Sequence, residues 1–459
     1  INTNSSLGSF ISVDSELTAT INATIGGTGQ LFKQGAGTLV LGGNNTLSGN
    51  VNLANGTLAV TSNGALGTGS LIFTSGTTLR ADASVTLANS MTLNGQSNID
   101  SNGNTLTLDG ALSGTGGLIK LGAGTLVLNG ANSYAGGTSV DAGTVQVGNN
   151  LALSTGGVTF QDATTLQAGV GGLTIANQIT LAGGTTVDTQ AFAFTLSGVV
   201  GGTGPLAKVG SGNLILTGNN VYSGGSILLE GSVTLGTNTA LGSGQVDVNG
   251  PVNIVSGANN LNVANAFVLN DVGTFNVGGF TTTYSGVISG ASVLNKTGAG
   301  NLILTNANLY SGGTTLNAGT ITVANNGALG TGTLTMGNNT TLNAGANGLA
   351  LANNILLDAP FAGVANVNVD SGLTFTLNGV ISSTLDQALV KQGGGNLVLN
   401  GANTYGFATV LSAGTITVGN NTALGTSELR MADGTTLVAG ANNLVLANNI
   451  VTSGINTVD

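Results

Sequence analysis

The stretch KLGAGTLVLNGANSYAGGTSVDAGT, residues 120–144, sets a pattern that recurs along the whole chain. Leu126 and Leu128 alternate with Thr125 and Val127, and this spacing of two is typical of a β-strand with one buried face. Helices are not expected, because helix-forming residues are scarce and glycine or asparagine interrupts every few residues. The same leucine pair recurs as Leu39 with Leu41, Leu214 with Leu216, Leu302 with Leu304, and Leu397 with Leu399.

Every lysine of the chain lies at one position of this pattern, and successive lysines are 87, 88, 88 and 95 residues apart. An asparagine follows each lysine by 12 residues, and a tyrosine follows four of the five by 14, with Leu47 in the first copy. We therefore predict repeat units that start near residues 33, 120, 208, 296 and 391. The residues that define the repeat are Lys33, Lys120, Lys208, Lys296, Lys391, Asn45, Asn132, Asn220, Asn308, Asn403, Tyr134, Tyr222, Tyr310 and Tyr405.

A second asparagine confirms this register, in segments such as LANS and IANQ. It lies 56 residues after the first lysine and 57 after each of the others. The seven extra residues of the last interval therefore lie between Asn353 and Lys391, and we expect a loop insertion there that contains Pro360. The second asparagines are Asn89, Asn177, Asn265, Asn353 and Asn448.

These periods predict an all-β fold, a right-handed parallel β-helix in which short strands stack coil upon coil. Inward leucine, valine and isoleucine would form the core, and glycine and asparagine would turn the corners. An 88-residue unit accommodates about four coils of roughly twenty-two residues, with about three short strands each. Since the chain starts and stops within a unit, we expect residues 1–459 to be one continuous β-helix segment of a longer array.

Composition narrows the possible functions. Lys and Arg together number 7 and Asp and Glu 17, a balance that argues against nucleic-acid binding because such proteins concentrate positive charge on one face. The chain has no cysteine and no histidine, which argues against disulfides, thiol catalysis and zinc. We therefore predict no cofactor and no metal site.

An enzyme is still conceivable, since parallel β-helices also host polysaccharide lyases and hydrolases, whose sites cluster carboxylates on neighbouring coils. In this chain the acidic residues are scattered, and their positions in the repeat are mostly not shared. Arg80 and Arg430 lie at different positions of the repeat and are expected to be solvated surface charges. We predict no catalytic residue, and a polysaccharide-active enzyme remains the weakest alternative.

The recurring lysines and tyrosines each allow two interpretations. The lysines could bind an anionic glycan at regular intervals, or each could fix a turn by donating to backbone carbonyls. Successive lysines would lie four coils apart, too far to share a pocket. The tyrosines could stack on sugars, or fill a corner and bond through their hydroxyls. Leu47 indicates that apolar volume is sufficient at that position, so the structural interpretation is favoured for both.

The pattern KxGxGxLxLxGxNxYxGxTxxxAGT resembles the passenger-associated transport repeat of bacterial autotransporters, also called the autotransporter-associated β-strand repeat. Residues 120–144 match it best, while the first copy departs at Leu47 and the third at Glu230, Gly231 and Ser232. The resemblance implies a parallel β-helical passenger that a Gram-negative bacterium secretes across its outer membrane by a type V route. It also implies a translocator β-barrel outside this segment.

Two functions follow as hypotheses. The first is a structural and adhesive extracellular stalk on the bacterial surface, with no catalytic role. The alternative is a subunit of an extracellular filament that stacks end to end through its coils and holds cells together in a biofilm. The expected partners are other copies of the chain, or a glycan or protein on a host or neighbouring cell, but not nucleic acid.

Overall fold

A computed structural model of the protein describes residue 3 and residues 8–358, 363–385 and 387–459. Within these residues the regular elements are β-strands, and there is no helix, hence none that could cross a membrane. The chain divides into two compact units, the first of residues 1–231 and 240–243, the second of residues 232–239 and 244–459. Each unit is a parallel β-solenoid, which confirms the predicted fold class.

The strands of the first unit are two to five residues long. They are β1 Ser9–Ser12, β2 Thr18–Ile21, β3 Gly26–Gly27, β4 Leu31–Gln34, β5 Thr38–Leu41, β6 Thr46–Leu47, β7 Val51–Leu53, β8 Thr57–Val60, β9 Leu71–Phe73, β10 Thr78–Ala81, β11 Val85–Leu87, β12 Met91–Leu93, β13 Ser97–Asp100, β14 Thr105–Leu108, β15 Leu112–Ser113, β16 Leu118–Leu121, β17 Thr125–Leu128, β18 Thr138–Val140, β19 Thr144–Val147, β20 Val158–Phe160, β21 Thr164–Ala168, β22 Leu173–Ile175, β23 Ile179–Leu181, β24 Thr185–Asp188, β25 Ala193–Leu196, β26 Val200–Gly202, β27 Leu206–Val209, β28 Asn213–Leu216 and β29 Ser226–Leu228.

The strands of the second unit are two to six residues long. They are β30 Ser232–Leu235, β31 Val246–Val248, β32 Val252–Ser256, β33 Leu261–Val263, β34 Phe267–Leu269, β35 Gly273–Asn276, β36 Thr281–Tyr284, β37 Ile288–Gly290, β38 Leu294–Thr297, β39 Asn301–Leu304, β40 Thr314–Leu316, β41 Thr320–Val323, β42 Leu334–Met336, β43 Thr340–Ala344, β44 Leu349–Leu351, β45 Ile355–Leu357, β46 Gly363–Asn368, β47 Thr374–Leu377, β48 Ile381–Ser383, β49 Gln387–Gln392, β50 Asn396–Leu399, β51 Thr409–Leu411, β52 Thr415–Val418, β53 Leu429–Met431, β54 Thr436–Ala439, β55 Ile450–Thr452 and β56 Thr457–Val458.

Within each sheet, neighbouring strands come from successive coils and pair in parallel. In the first unit, sheet 1 runs β1-β4-β7-β9-β12-β15, sheet 2 runs β2-β5-β8-β10-β13-β16-β18-β20-β23-β26, and sheet 3 runs β11-β14-β17-β19-β21-β24-β27-β29. In the second unit, the longest sheets run β30-β32-β35-β38-β40-β42-β45-β48 and β33-β36-β39-β41-β43-β46-β49-β51-β53-β55, called sheets 4 and 5. Leucine and valine stack through these sheets because the pairing keeps the inward positions in register.

The core follows the predicted alternation. In β17 the buried residues are Leu126 and Leu128, and the register pairs Leu126 with Leu106 of the coil before and Val145 of the coil after. Each such aliphatic side chain contributes about 1.5–3 kcal/mol by leaving water. The leucines named from the sequence as inward-facing are all buried: Leu39, Leu41, Leu126, Leu128, Leu214, Leu216, Leu302, Leu304, Leu397 and Leu399.

The coil is shorter than predicted, and the repeat is not a whole number of coils. Paired residues in sheet 1 are mostly 20 residues apart, as with Leu31 and Val51. From β4, which carries Lys33, four coils lead through β7, β9 and β12 to β15, and Lys120 lies on the following strand, β16, in sheet 2. The repeat therefore spans four and one-third coils rather than four.

Successive lysines consequently lie on different sheets. In the first unit, Lys33 lies in sheet 1, Lys120 in sheet 2 and Lys208 in sheet 3. In the second unit, Lys296 lies in sheet 4 and Lys391 in sheet 5. The five lysines do not form a single row along one face, contrary to the even spacing of four coils inferred from the sequence.

Coils contain three strands in part of each repeat and two in the rest. Between β17 and β18, and again between β19 and β20, the third side of the coil has no strand. Backbone hydrogen bonds still join these segments to the coil below, as from Ser133 N to Leu112 O at 2.8 Å. The predicted three strands per coil thus hold for about half of the repeat, and the strandless side contains the recurring asparagine and tyrosine.

The seven extra residues of the last interval lie at three places in the chain. Val367 pairs with Lys391 as Val187 pairs with Lys208, but the separation is 24 residues instead of 21. Of the three extra residues after Val367, one lies before Leu377 and two lie between Ile381 and Leu389. The other four precede Val367, in a segment with Pro360, which lies outside the described residues. The expected single insertion is therefore divided among three places in the chain. One continuous β-helix over residues 1–459 remains a prediction.

Candidate functional site

The five lysines are buried within the aliphatic stacks. Lys120 pairs with Ile99 below and Val140 above, so its stem occupies an inward position between two apolar residues. Its ammonium reaches the turn after the strand and donates to Leu121 O at 2.9 Å, Gly122 O at 2.7 Å and Ala142 O at 3.0 Å. Lys33, Lys208, Lys296 and Lys391 each donate to the equivalent three carbonyls at 2.6–3.2 Å.

This geometry decides between the two interpretations of the lysines. Three N–H groups meet three carbonyl oxygens, two in the same turn and one in the next coil, so each ammonium is fully used inside the protein. The side chains of the five lysines are not exposed to solvent. An anionic glycan outside the solenoid therefore cannot reach them, and their arrangement is that of a turn-fixing residue.

Burial changes the protonation of these lysines. Desolvation lowers the pKa of Lys120 to about 8, although the negative charge of Asp100 opposes the shift. It lowers the pKa of Lys208 to about 8 as well, against Glu230 and Asp188. Asp100 and Asp188 occupy the same register, opposite the residue that follows each lysine. The scattered acidic residues of the sequence thus include two at equivalent positions.

These pKa values predict a pH dependence of stability. Between about pH 8 and the ordinary lysine pKa of 10.5, the unfolded chain binds more protons than the folded chain, so the free energy of unfolding should rise. Burial raises the pKa of Tyr134 from 10.0 to about 12, so stability should fall again above about pH 10. Urea unfolding from pH 7 to 11 measures this. A free energy that falls steadily from pH 8 would show that the carbonyls hold the ammonium more strongly than burial opposes it.

The first asparagine of each repeat bridges three coils. Asn132 Oδ1 accepts the Leu112 N–H at 2.7 Å, and its Nδ2 donates to Ala152 O at 2.5 Å. Leu112 lies on β15 of the coil before, and Ala152 lies on the strandless side of the coil after. The side-chain amide therefore takes the place of the strand's hydrogen bonds. Asn45, Asn220, Asn308 and Asn403 make the same pair of bonds at 2.5–2.8 Å.

The second asparagine caps the strandless turn from the coil above. Asn177 Nδ2 lies 3.1 Å from Ser154 O and 2.7 Å from Gly156 O. Asn89 and Asn353 make equivalent bonds, to Gly67 and Gly69 and to Gly330 and Gly332. The sequence identified these residues only as markers of register, whereas the structure gives them a structural role.

Each tyrosine packs at the strandless corner and pairs its hydroxyl with a residue four positions later. Tyr134 Oη lies 2.6 Å from Thr138 Oγ1, and both residues are buried. In the first repeat, where Leu47 replaces the tyrosine, Val51 replaces the hydroxyl partner. The two positions therefore change together within this one chain. The other pairs are Tyr222 with Ser226, Tyr310 with Thr314 and Tyr405 with Thr409.

This pairing predicts non-additive substitutions. Thr138→Val should cost about 1–3 kcal/mol, because the buried tyrosine hydroxyl loses its partner. Tyr134→Phe should cost about 1 kcal/mol, because the hydroxyl of Thr138 then loses its partner. The double variant should cost less than the sum, since it reproduces the apolar pair Leu47 and Val51. The free energy of unfolding is measured in denaturant for the parent, the two single variants and the double variant, which completes a double-mutant cycle. If the losses of stability in the single variants add up to the loss in the double variant, the two side chains are not coupled.

The arginines lie at the surface in ion pairs. Arg80 Nε donates to Asp82 Oδ1 at 2.6 Å, and the arginine lowers the pKa of Asp82 through this hydrogen bond. Arg430 pairs with Glu428 at 2.5 Å. Each partner lies two residues away, just beyond the end of the strand that carries the arginine. The expected solvated charges are therefore local pairs, each contributing up to about 1 kcal/mol.

The repeat-defining residues do not converge on one site. In each repeat the lysine lies at one turn, and the asparagine and tyrosine lie together at another. Among the described residues no group of three or more acidic residues could hold a metal ion. The recurring residues therefore form a set of separate structural contacts, and the hydroxyl partners were the members that sequence reasoning missed.

Comparison with known proteins finds the same five repeats. The passenger-associated-transport-repeat family matches residues 31–60, 118–147, 206–235, 294–323 and 389–418. The chain carries five passenger-associated-transport-repeats. Each match begins two residues before the lysine and includes the asparagine, the tyrosine position and the hydroxyl partner. The resemblance to autotransporter passengers with these repeats is thereby confirmed.

One curated relative also carries a similar segment. It is the protein named Adhesin BmaC autotransporter from Brucella suis biovar 1 (strain 1330), 42% identical over 131 residues. The match covers 28% of this chain and 4% of the relative, so the chain spans only a small part of that protein's length. No solved structure matches the chain.

Proposed function

We propose that this chain is a structural, non-catalytic and adhesive segment of an extracellular passenger on the surface of a Gram-negative bacterium. One observation carries the proposal: the residues that define the passenger-associated-transport-repeats are buried, and their polar atoms bond to the solenoid itself. Residues repeated for binding or catalysis would direct atoms to solvent. The repeat thus specifies the scaffold, and contact with a partner falls to the outward side chains.

The outward side chains suit a neutral partner. In sheet 3, the outward positions Thr107, Val127, Gln146 and Gln167 lie in register on four successive coils without a charge. Asp188 follows in this row on the next coil, where it accepts from Gln167 Nε2 at 2.9 Å. Gln146 Nε2 donates to Gln167 Oε1 at 2.6 Å. An uncharged surface of hydroxyls and amides offers little repulsion to another copy of the chain or to a glycan or protein on a cell. The name of the Brucella relative, an adhesin, supports the same function.

Surface display tests the proposal. The chain is expressed on bacteria that lack other adhesins, and cell–cell aggregation and binding to host cells are measured. Deleting residues 33–119, one repeat, should weaken adhesion because it removes lateral surface while leaving the repeat pattern intact. Adhesion that stays unchanged on deletion would contradict a lateral adhesive surface.

A charge substitution on the outward face tests adhesion without disturbing the buried core. Thr107→Lys together with Gln146→Lys should weaken adhesion, because contact with an uncharged surface would remove water from two ammonium groups. Gln146→Asn, which keeps an uncharged amide, is the matched control. Hydrogen exchange of the backbone amides checks that both variants keep the solenoid. If the lysine variant and the control adhere equally well, the outward face of sheet 3 is not the adhesive surface.

The alternatives give different outcomes. Purified chain that grows into fibres of indefinite length would favour the filament subunit over the stalk. Release of sugars from a polysaccharide panel would overturn the non-catalytic assignment. Protease digestion of intact cells tests the extracellular location, since an exposed passenger is cut while cytoplasmic proteins are protected.

A further inference from the structure

The turn after β7 contains an Asn-Gly pair, Asn55 and Gly56, in an unusual contact. The Gly56 N–H donates to Asn55 Oδ1 at 2.8 Å, so the backbone nitrogen lies against the side-chain amide of the preceding residue. Asn55 is exposed, and Gly56 has a φ of 71°. A Cβ at residue 56 would lie 2.6 Å from Gly37 O, so only glycine fits there. This nitrogen is close to the carbon that it would attack in succinimide formation.

The buried lysine of the first repeat faces the same peptide. Lys33 Nζ donates to Asn55 O at 3.0 Å, and Asn55 O belongs to the peptide group that contains the Gly56 nitrogen. When that peptide loses its N–H proton, negative charge spreads onto the carbonyl oxygen. An ammonium already placed at this oxygen stabilises the charge as it develops, as the donors of an oxyanion hole do. The Gly56 nitrogen is therefore both positioned and activated.

We propose that Asn55 is a self-modification site that converts to aspartate or isoaspartate without an enzyme. Hydroxide removes the proton of Gly56 N, and the nitrogen forms a bond to Asn55 Cγ. The bond from Cγ to Nδ2 breaks, and ammonia leaves after taking a proton from solvent. Water then opens the succinimide at either carbonyl and leaves a carboxylate. No oxidant or reductant is needed.

The other repeats show why the site is confined to the first. The equivalent positions are Ala142, Glu230, Ala318 and Ala413, each followed by glycine, and each carbonyl accepts its own lysine. Only the first repeat combines this lysine contact with a side-chain amide. The third repeat already has a carboxylate at this position, so the fold accommodates the product. Modification would give Lys33 an acidic neighbour such as Glu230 provides for Lys208.

The chain has nine other Asn-Gly pairs, and one of them serves as the internal comparison. Asn102 precedes Gly103 in an exposed turn, and its Nδ2 donates to Asp82 Oδ1 at 3.0 Å. Its backbone N–H donates to Asp100 Oδ1 at 2.8 Å. Two carboxylates near this peptide oppose the formation of an anion on it. The folded chain should therefore modify Asn55 and spare Asn102.

The folded chain is incubated in neutral buffer. Peptide mapping by mass spectrometry then measures the conversion of Asn55 and that of Asn102. Asn55 should convert about tenfold or more faster than Asn102, and the difference should disappear in denaturant, where Lys33 no longer faces the peptide. Equal rates in the folded chain would overturn the proposal.

Two variants sharpen the test. Lys33→Met should slow the conversion at Asn55, although this change also weakens the fold. Ala142→Asn avoids that problem, because it creates an Asn-Gly pair at the carbonyl that Lys120 contacts and leaves every lysine in place. It should add a second fast site. An Ala142→Asn chain that keeps the new amide intact while folded would overturn the role of the lysine.

Discussion

Replacing Lys120 with methionine is expected to lower the free energy of unfolding of the first unit by about 3 kcal/mol. Methionine retains most of the apolar stem that packs between Ile99 and Val140. It removes the ammonium that donates to Leu121 O, Gly122 O and Ala142 O. Ser101 Oγ remains 3.3 Å from Leu121 O and from Gly122 O, so Ala142 O is the buried carbonyl that loses its side-chain donor, and such a loss is costly. Relief from burying a charge offsets part of this loss.

Urea unfolding and amide hydrogen exchange around residues 118–147 measure this change, the second because a repeat protein can open locally. Arg80→Met is the matched control, since it removes a cation whose partner, Asp82, remains half-exposed. That control should change stability by no more than about 1 kcal/mol. A Lys120→Met protein as stable as the parent would show that the carbonyl bonds only balance the desolvation of the ammonium.

Replacing Asn132 with aspartate should have an effect of similar size, about 3 kcal/mol at neutral pH. The carboxylate can still accept from Leu112 N, but it cannot donate to Ala152 O, and it places negative charge against that carbonyl. Protonation restores a donor at this oxygen. Part of the lost stability should therefore return as pH falls below the pKa of the new carboxyl group, while the parent shows no such gain.

Asn150→Asp is the control for this prediction. Asn150 is exposed, and its Oδ1 accepts the Thr174 N–H at 2.9 Å, a bond that aspartate can also make. Its replacement should change stability by less than about 1 kcal/mol. Equal losses for the two variants would mean that the added charge, rather than the missing donor at residue 132, is responsible.

The fold was predictable because the chain repeats a strong local signal. Leu126 and Leu128 identify a buried strand face, and five copies of that face leave few folds other than a solenoid. The length of one coil was not predictable in the same way. A period of 88 residues divides into four coils of 22 as readily as into four and one-third of 20, and only the backbone pairing of β4 through β15 distinguishes them.

The contacts of the recurring residues were predictable in kind but not in detail. Burial of the tyrosine followed from Leu47, which has no hydroxyl to satisfy. The partner could also have been found from the sequence, because Thr138 stands four residues after Tyr134, and Val51 stands four residues after Leu47. The three carbonyls around Lys120 could not have been found from the sequence. One of them, Ala142 O, belongs to the next coil, so its contact with Lys120 depends on the pairing register of the folded chain.

The one-third coil left over in every repeat has a consequence for how such a gene can change. In the first unit a copy starts on sheet 1, the next on sheet 2 and the next on sheet 3, and each of these sides accepts the same lysine-bearing strand. Unequal recombination between copies can thus add or remove one whole period, and the chain rejoins in frame with every strand still facing inward. Variation in the number of copies is accordingly compatible with folding.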